Sequence, residues 1–134
     1  MKINSEYGKI LLRISLSLLL IWFGISQISS PAEWTGFVPG FVANIIPAHT
    51  VVFINGSAEI VFGLFMLVGF YLRLSSFLMG LHLFVIALGI GYNSLAIRDF
   101  GLSLAMLSLF LLGPDKFCAD KKFEKKEETE ENLK

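Results

Sequence analysis

A chemical reading of this chain starts at Glu59, a carboxylic acid set within the apolar run from Val51 to Leu72. A charged side chain at mid-bilayer costs about 2.5 to 3.5 kcal/mol on insertion scales, so such a group is retained only with partners. Asn55 stands four residues earlier, on the same face of a helix. Counting 1.5 Å per residue places Glu59 about 12 Å below the outer boundary of a bilayer. The same count puts Gln27, Asn55 and Arg98 about 5 Å from that boundary, with Asp99 in their layer. His82, in the third apolar run, comes within several Å of the level of Glu59 by the same counting. In the first run, Arg13, Ser17, Gly24 and Gln27 share one helical side, which must face the other helices. The expected polar cluster is therefore Glu59, Asn55, Gln27, Arg98, Asp99, His82 and Arg13.

A carboxyl and an imidazole meeting at mid-depth admit two readings. They form either a proton-handling or quinone-binding pair, or two buried polar groups that satisfy one another. Arg13, one turn from the inner boundary, also has the ordinary reading of a snorkelling side chain, and Arg73 that of an anchor to lipid phosphates. His49 falls in the outer connection, which leaves His82 alone in the bundle, so neither a haem nor a metal centre is expected. Cys118 is the single cysteine, which excludes an internal disulfide and a CxxC pair. There is no P-loop, Ser-x-x-Lys, His-Glu-x-x-His or nucleophile elbow, and hence no self-contained active site.

The elements that must hold these residues follow from composition. The 134 residues are 54% hydrophobic with a mean hydropathy of +0.70, more apolar surface than a soluble domain of this size can bury. Four apolar stretches, at residues 10–28, 51–72, 74–91 and 95–113, are each long enough to span a bilayer as a helix, the only open-ended structure that satisfies its own backbone there. The expected fold is all-α: an integral membrane four-helix bundle over residues 1–114, followed by a charged cytoplasmic tail at 115–134. The net charge of zero and the lack of a basic stripe argue against nucleic acid.

Orientation follows from the basic residues. With the N-terminus inside, Lys2, Lys9, Arg13, Arg73, Lys116, Lys121, Lys122, Lys125, Lys126 and Lys134 fall on the cytoplasmic side of the cell membrane and only Arg98 outside. Both termini are then cytoplasmic. A cleaved leader is disfavoured, because Pro31 obstructs the likeliest cleavage position. The connection from Ser29 to Thr50, with Pro31, Trp34, Pro39 and Pro47, reads as an outer interfacial or re-entrant flap. Small residues form stripes expected to pack: Gly56 with Gly63, and Gly101 with Ala105 and Ser108. The tail, with six Lys and seven Asp or Glu, reads as solvated and more disordered than helical.

The segments Leu12-Arg13-Ile14, Trp22-Phe23-Gly24-Ile25-Ser26-Gln27, Asn55-Gly56-Ser57-Ala58-Glu59, Gly63-Leu64, Leu67-Val68-Gly69, Arg73, Arg98-Asp99-Phe100-Gly101-Leu102 and Leu111-Leu112-Gly113-Pro114, in that order, resemble the DoxX family of small membrane proteins, a group that includes DoxD. The likeness covers residues 9 to 116, and Gln27 stands where many relatives carry a lysine. It implies four helices and an association with membrane redox systems, since DoxD relatives are subunits of a thiosulfate:quinone oxidoreductase. The expected function is an accessory subunit beside a redox enzyme, with quinone as its ligand and lipid, redox subunits and a second copy as partners. Two other classes stand beside it: a membrane chaperone or cargo-interaction protein, and a small transporter.

Overall fold

The computed structural model describes residues 4–133, so Lys2 and Lys134 of the charge count lie outside the described residues. Seven helices are present among them: α1 (Ser5–Ser29), α2 (Pro31–Trp34), α3 (Gly40–Ala43), α4 (Ala48–Val68), α5 (Leu72–Gly89), α6 (Ser94–Leu112) and α7 (Ala119–Glu131). A 3-10 turn, Thr35–Phe37, links α2 to α3. No strand occurs among the described residues. Four of the helices, α1, α4, α5 and α6, are long and apolar enough to cross a membrane, as expected for a multi-pass membrane protein.

Helix ends follow local chemistry. Asn4 caps α1 by accepting from Glu6 N–H at 3.1 Å, and Asn93 caps α6 by accepting from Ala96 N–H at 2.9 Å. The second span ends four residues earlier than hydropathy suggests. Gly69 adopts φ +76°, and Gly69 N–H and Phe70 N–H both close back onto Phe65 C=O at 2.9 Å. Apolar Phe70 to Leu72 continue the hydrophobic pattern without continuing the helix, which is why composition misses the break. Tyr71, at φ +46°, cannot cap α5 with its own side chain. Asp120 does so from the far end of the chain, taking Tyr71 N–H and Leu72 N–H at 2.8 Å each.

The spans pack as two intimate pairs, α1 on α4 and α5 on α6, joined through a core of Leu16, Leu20, Met66, Leu72, Met79, Leu83, Met106 and Leu109. Small residues set the closeness of each pair. A Cβ on Gly24 would lie 2.5 Å from Gly56 C=O, and one on Gly56 would lie 2.9 Å from Gly24 C=O. Of the other expected stripe only Ala105 packs inside the chain, against the edge of the core. Gly101 and Ser108 are exposed, a Cβ on Gly101 meets nothing within 4 Å, and Gly80 takes the close-approach role in the second pair against Met106 and Leu107. The reason is rotational: buried Asp99, Ser103 and Met106 mark the inner face of α6, and Gly101 and Ser108 lie off it.

The segment after Gly113 also departs from expectation. Asp115 and Cys118 are fully buried at the bundle end where both described chain ends lie, and α7 is a 13-residue helix. Only from Lys121 onward is the tail solvent-exposed throughout. Overpacking a tight helix contact costs about 1 to 3 kcal/mol. Gly24→Ala should therefore lower the thermal stability of the detergent-solubilised protein by that amount, while Gly101→Ala should leave it unchanged or slightly higher; parallel melting curves of the two variants check both.

Candidate functional site

Because α1 and α4 touch at Gly24 and Gly56, the side chains one turn further along each helix are forced together. Gln27 Nε2 donates to Glu59 Oε2 at 2.8 Å, and Asn55 Nδ2 donates to Glu59 Oε1 at 3.0 Å and to Gln27 Oε1 at 2.7 Å. The three side chains close a ring. From α5, His82 Nε2 approaches Asn55 Oδ1 at 2.5 Å. An amide oxygen can only accept, so that ring nitrogen carries the proton. On α6, Arg98 Nε and Nη2 reach Asp99 Oδ1 at 2.8 and 2.7 Å, and the guanidinium lies 4.3 Å from the centroid of Phe23 on α1. Glu59, Asp99 and Gln27 are buried, at 4%, 5% and 5% exposure.

These groups form the polar edge of a cavity of about 300 Å³ between the four spans. The rest of the wall is apolar. The connection between α1 and α4 closes it, with Trp34, Phe37, Val38, Pro39, Phe41 and Val42 all lining the space. The flap thus folds over the bundle as short helical pieces, with Phe23 edge-on to Trp34 at 5.8 Å. A pocket of this size, with apolar walls and a few convergent polar groups, suits one small ring system with oxygen substituents.

Six of the seven expected cluster residues, Glu59, Asn55, Gln27, Arg98, Asp99 and His82, line this one cavity. Two details differ. Glu59 and His82 do not pair directly, because Asn55 stands between them and bonds to both. Arg13 is absent from the cavity, sitting two turns of α1 beyond the core residue Leu20 at the opposite end of the bundle. Its position at the other end of a 25-residue helix from Gln27 makes a shared cluster impossible. Nor does it snorkel. At 3% exposure, Arg13 Nε donates to Asp115 Oδ2 at 2.6 Å, and Nη1 reaches Met66 C=O at 3.2 Å and also Leu67 C=O. Those carbonyls belong to the last turn of α4, where Met66 C=O otherwise takes only the capping Gly69 N–H at 3.1 Å, so Arg13 acts as a further cap on that helix.

Reasoning from sequence missed Trp34 and the flap as a cavity wall, and Asp115 as the partner of Arg13. Depth counting could have found Asp115, since it follows the fourth span directly and so shares the bundle end of Arg13. Trp34 carried no such signal. Among the described residues, no three His, Cys, Asp or Glu side chains come together as a metal-ligand group. Cys118 packs against Gly69, and burial pushes its thiol up to about 11, leaving it protonated at neutral pH.

Asp115 yields a pH dependence. Burial alone would raise its carboxyl, but hydrogen bonds from Arg13 and Phe117 N–H, with the Arg13 charge, together hold it below the ordinary 3.8. A carboxyl lowered in the folded state contributes stability that is fully present above its unfolded value and lost as pH falls through the folded one. Thermal stability in detergent should therefore fall as the medium is acidified below about pH 4. Asp115→Asn should abolish that component and destabilise at neutral pH by about 3 to 5 kcal/mol, as expected when one partner of a buried pair is removed; melting curves from pH 3 to pH 7 on both proteins check this.

No curated protein and no solved structure matches the chain. The family model DoxX matches residues 8–91, more than half of the chain. That stretch holds α4 and α5 whole, nearly all of α1, and Gln27, Asn55, Glu59 and His82, whereas Arg98, Asp99 and the fourth span lie beyond it. With its spans, its buried glutamate and this match, the chain belongs to the DoxX family.

Proposed function

We propose that this DoxX-family membrane protein is an accessory subunit of a membrane redox system and that its intramembrane cavity holds a quinone-class molecule. The observation that carries the reading is the cavity of about 300 Å³, apolar and aromatic over most of its wall and polar along one edge. A quinone is a flat apolar ring with oxygens at its rim. Trp34, Phe23 and Phe37 supply faces for the ring, and Arg98, with N–H groups beyond those given to Asp99, supplies donors for an oxygen. When bound, such a ring carries two electrons and two protons. This chain would orient it, exclude water and keep its oxygens against the Glu59 and Arg98 edge, while a partner subunit moves the electrons.

The orientation follows the same proposal. Lys9, Arg73, Lys116, Lys121, Lys122, Lys125 and Lys126 gather at the bundle end where the described chain ends lie, and Arg98 stands at the other. By the positive-inside rule the lysine-rich end faces the cytoplasm of a cell membrane. There α7, rooted by Asp120 and exposed along its length from Lys121, offers a charged helix to a redox partner. That ordered, exposed helix equally supports a second reading, a cargo-interaction protein with no electron carrier.

Purifying the protein in mild detergent and extracting bound lipids for chromatography tests the leading reading. Stoichiometric quinone is expected with the native chain. Ile86→Trp, which adds bulk to the apolar wall and replaces none of the polar side chains, should cut the yield at least tenfold. A quinone-free native protein whose α7 captures a partner would favour the second reading.

A further inference from the structure

A separate groove, of about 840 Å³, lies at the other end of the bundle, where α7 flanks the start of α5 and the end of α6. Its floor is apolar. Leu74 and Leu112 are 55% and 48% exposed, and Phe77, one turn on from Leu74, continues the apolar strip along the membrane-crossing part of α5. The rim carries both signs of charge. Arg73 and Lys121 contribute cations, while Glu124 and Glu127 contribute carboxylates from the face of α7 that also bears Asp120.

Two further charges of the rim are already engaged. Lys9 pairs with Glu6 at 2.8 Å, and Asp120 gives both oxygens to the first turn of α5. Lys121 lies within electrostatic reach of Glu6 but forms no ion pair with it. Among the described residues, Arg73, Lys121, Glu124 and Glu127 form no ion pair at all. Opposite charges thus face one space without closing on each other. Arg73 is also held in position: Gly113 adopts φ +73°, and a Cβ there would lie 2.7 Å from Arg73 Nη2 and 3.0 Å from Nε, so the guanidinium rests against bare backbone. A guanidinium fixed in this way, at the level where the spans end, is suited to the paired oxygens of a phosphodiester.

We propose that this groove binds the head of a zwitterionic phospholipid that carries a primary ammonium, the phosphatidylethanolamine class. The phosphodiester meets Arg73 and Lys121, the ammonium meets Glu124 and Glu127, and the acyl chains follow Leu74 and Phe77 along α5. Other heads leave part of the rim unmatched. A glycerol head brings no cation to the two glutamates. A choline head brings a cation without N–H donors, so the carboxylates gain charge but no hydrogen bonds. Free phosphate has nothing to cover the apolar floor. A lipid held in this way bridges α7 to α5 and leaves Lys122, Lys125 and Lys126, on the far face of α7, open to a partner. The site is independent of the quinone-class cavity.

Native mass spectrometry of the full chain in detergent, titrated separately with dioleoyl phosphatidylethanolamine, dioleoyl phosphatidylcholine and dioleoyl phosphatidylglycerol, tests the proposal. One phosphatidylethanolamine is expected to bind about fivefold tighter than either of the others, the upper range for an exposed ion pair. Glu124→Gln combined with Glu127→Gln should bring it down to the phosphatidylcholine level and leave phosphatidylcholine unchanged. Arg73→Gln should weaken both lipids alike, and Lys122→Gln neither. All four side chains are exposed, so these substitutions leave the packed bundle intact. Equal binding of the three lipids, or a preference for phosphatidylethanolamine that survives loss of both glutamates, overturns the proposal. Tightest binding of phosphatidylglycerol also overturns it, assigning the groove to anionic lipids, and none of these results bears on the quinone-class reading.

Discussion

The backbone contact between Gly24 and Gly56 is the constraint on which the rest of the molecule depends. Lipid offers no hydrophobic driving force between apolar helices, so close packing and internal hydrogen bonds must hold them together. Two glycines facing each other bring α1 and α4 near enough for short amide side chains to bridge. Gln27 and Asn55 then reach Glu59 from two helices, and the carboxyl finds its partners without a cation in contact. A wider spacing would leave the acid unsatisfied within the bilayer, where burial of such a group is costly.

The opposite end of the bundle solves a similar problem with full charges. Arg13 caps the last turn of α4, Asp115 neutralises Arg13, and Asp120 caps the first turn of α5, so the chain beyond the fourth span ties three spans together. Gly69 leaves room for Cys118 to pack on the turn between them. This end is braced by ion pairing and capping. The cavity end is held by the hydrogen-bonded ring of Gln27, Asn55 and Glu59, by the Arg98–Asp99 pair and by a flap of short helical pieces, an arrangement suited to admitting a ligand.

Much of this could be read from residue types and spacing. The four spans follow from apolar run length, and the inner face of α1 follows from Arg13, Ser17, Gly24 and Gln27, all of which are buried. Depth counting along each helix grouped Glu59, Asn55, Gln27, Arg98, Asp99 and His82, because a helix rises by a fixed amount per residue. Counting failed where rotation or irregular backbone decides. It could not tell that Asn55 would stand between Glu59 and His82, that Gly101 and Ser108 would lie off the packed face of α6, or that apolar Phe70 would leave the helix. The flap carries no periodicity, so its role as a wall became visible only in three dimensions. Asp115 was hidden by its neighbours: a run rich in Lys and Glu reads as solvated, although its first carboxyl is the most buried acid in the chain.

The central claim is that a ring-bearing ligand sits between the four spans against the edge formed by Glu59 and Arg98. Anomalous diffraction from crystals grown with 2-bromo-1,4-naphthoquinone tests it most directly, since bromine marks the ring without ambiguity. The account predicts a single strong anomalous peak inside the cavity bounded by Trp34, His82 and Arg98. Bromine found only on the lipid-facing surface, with the cavity filled by side chains or lipid tails, would contradict it.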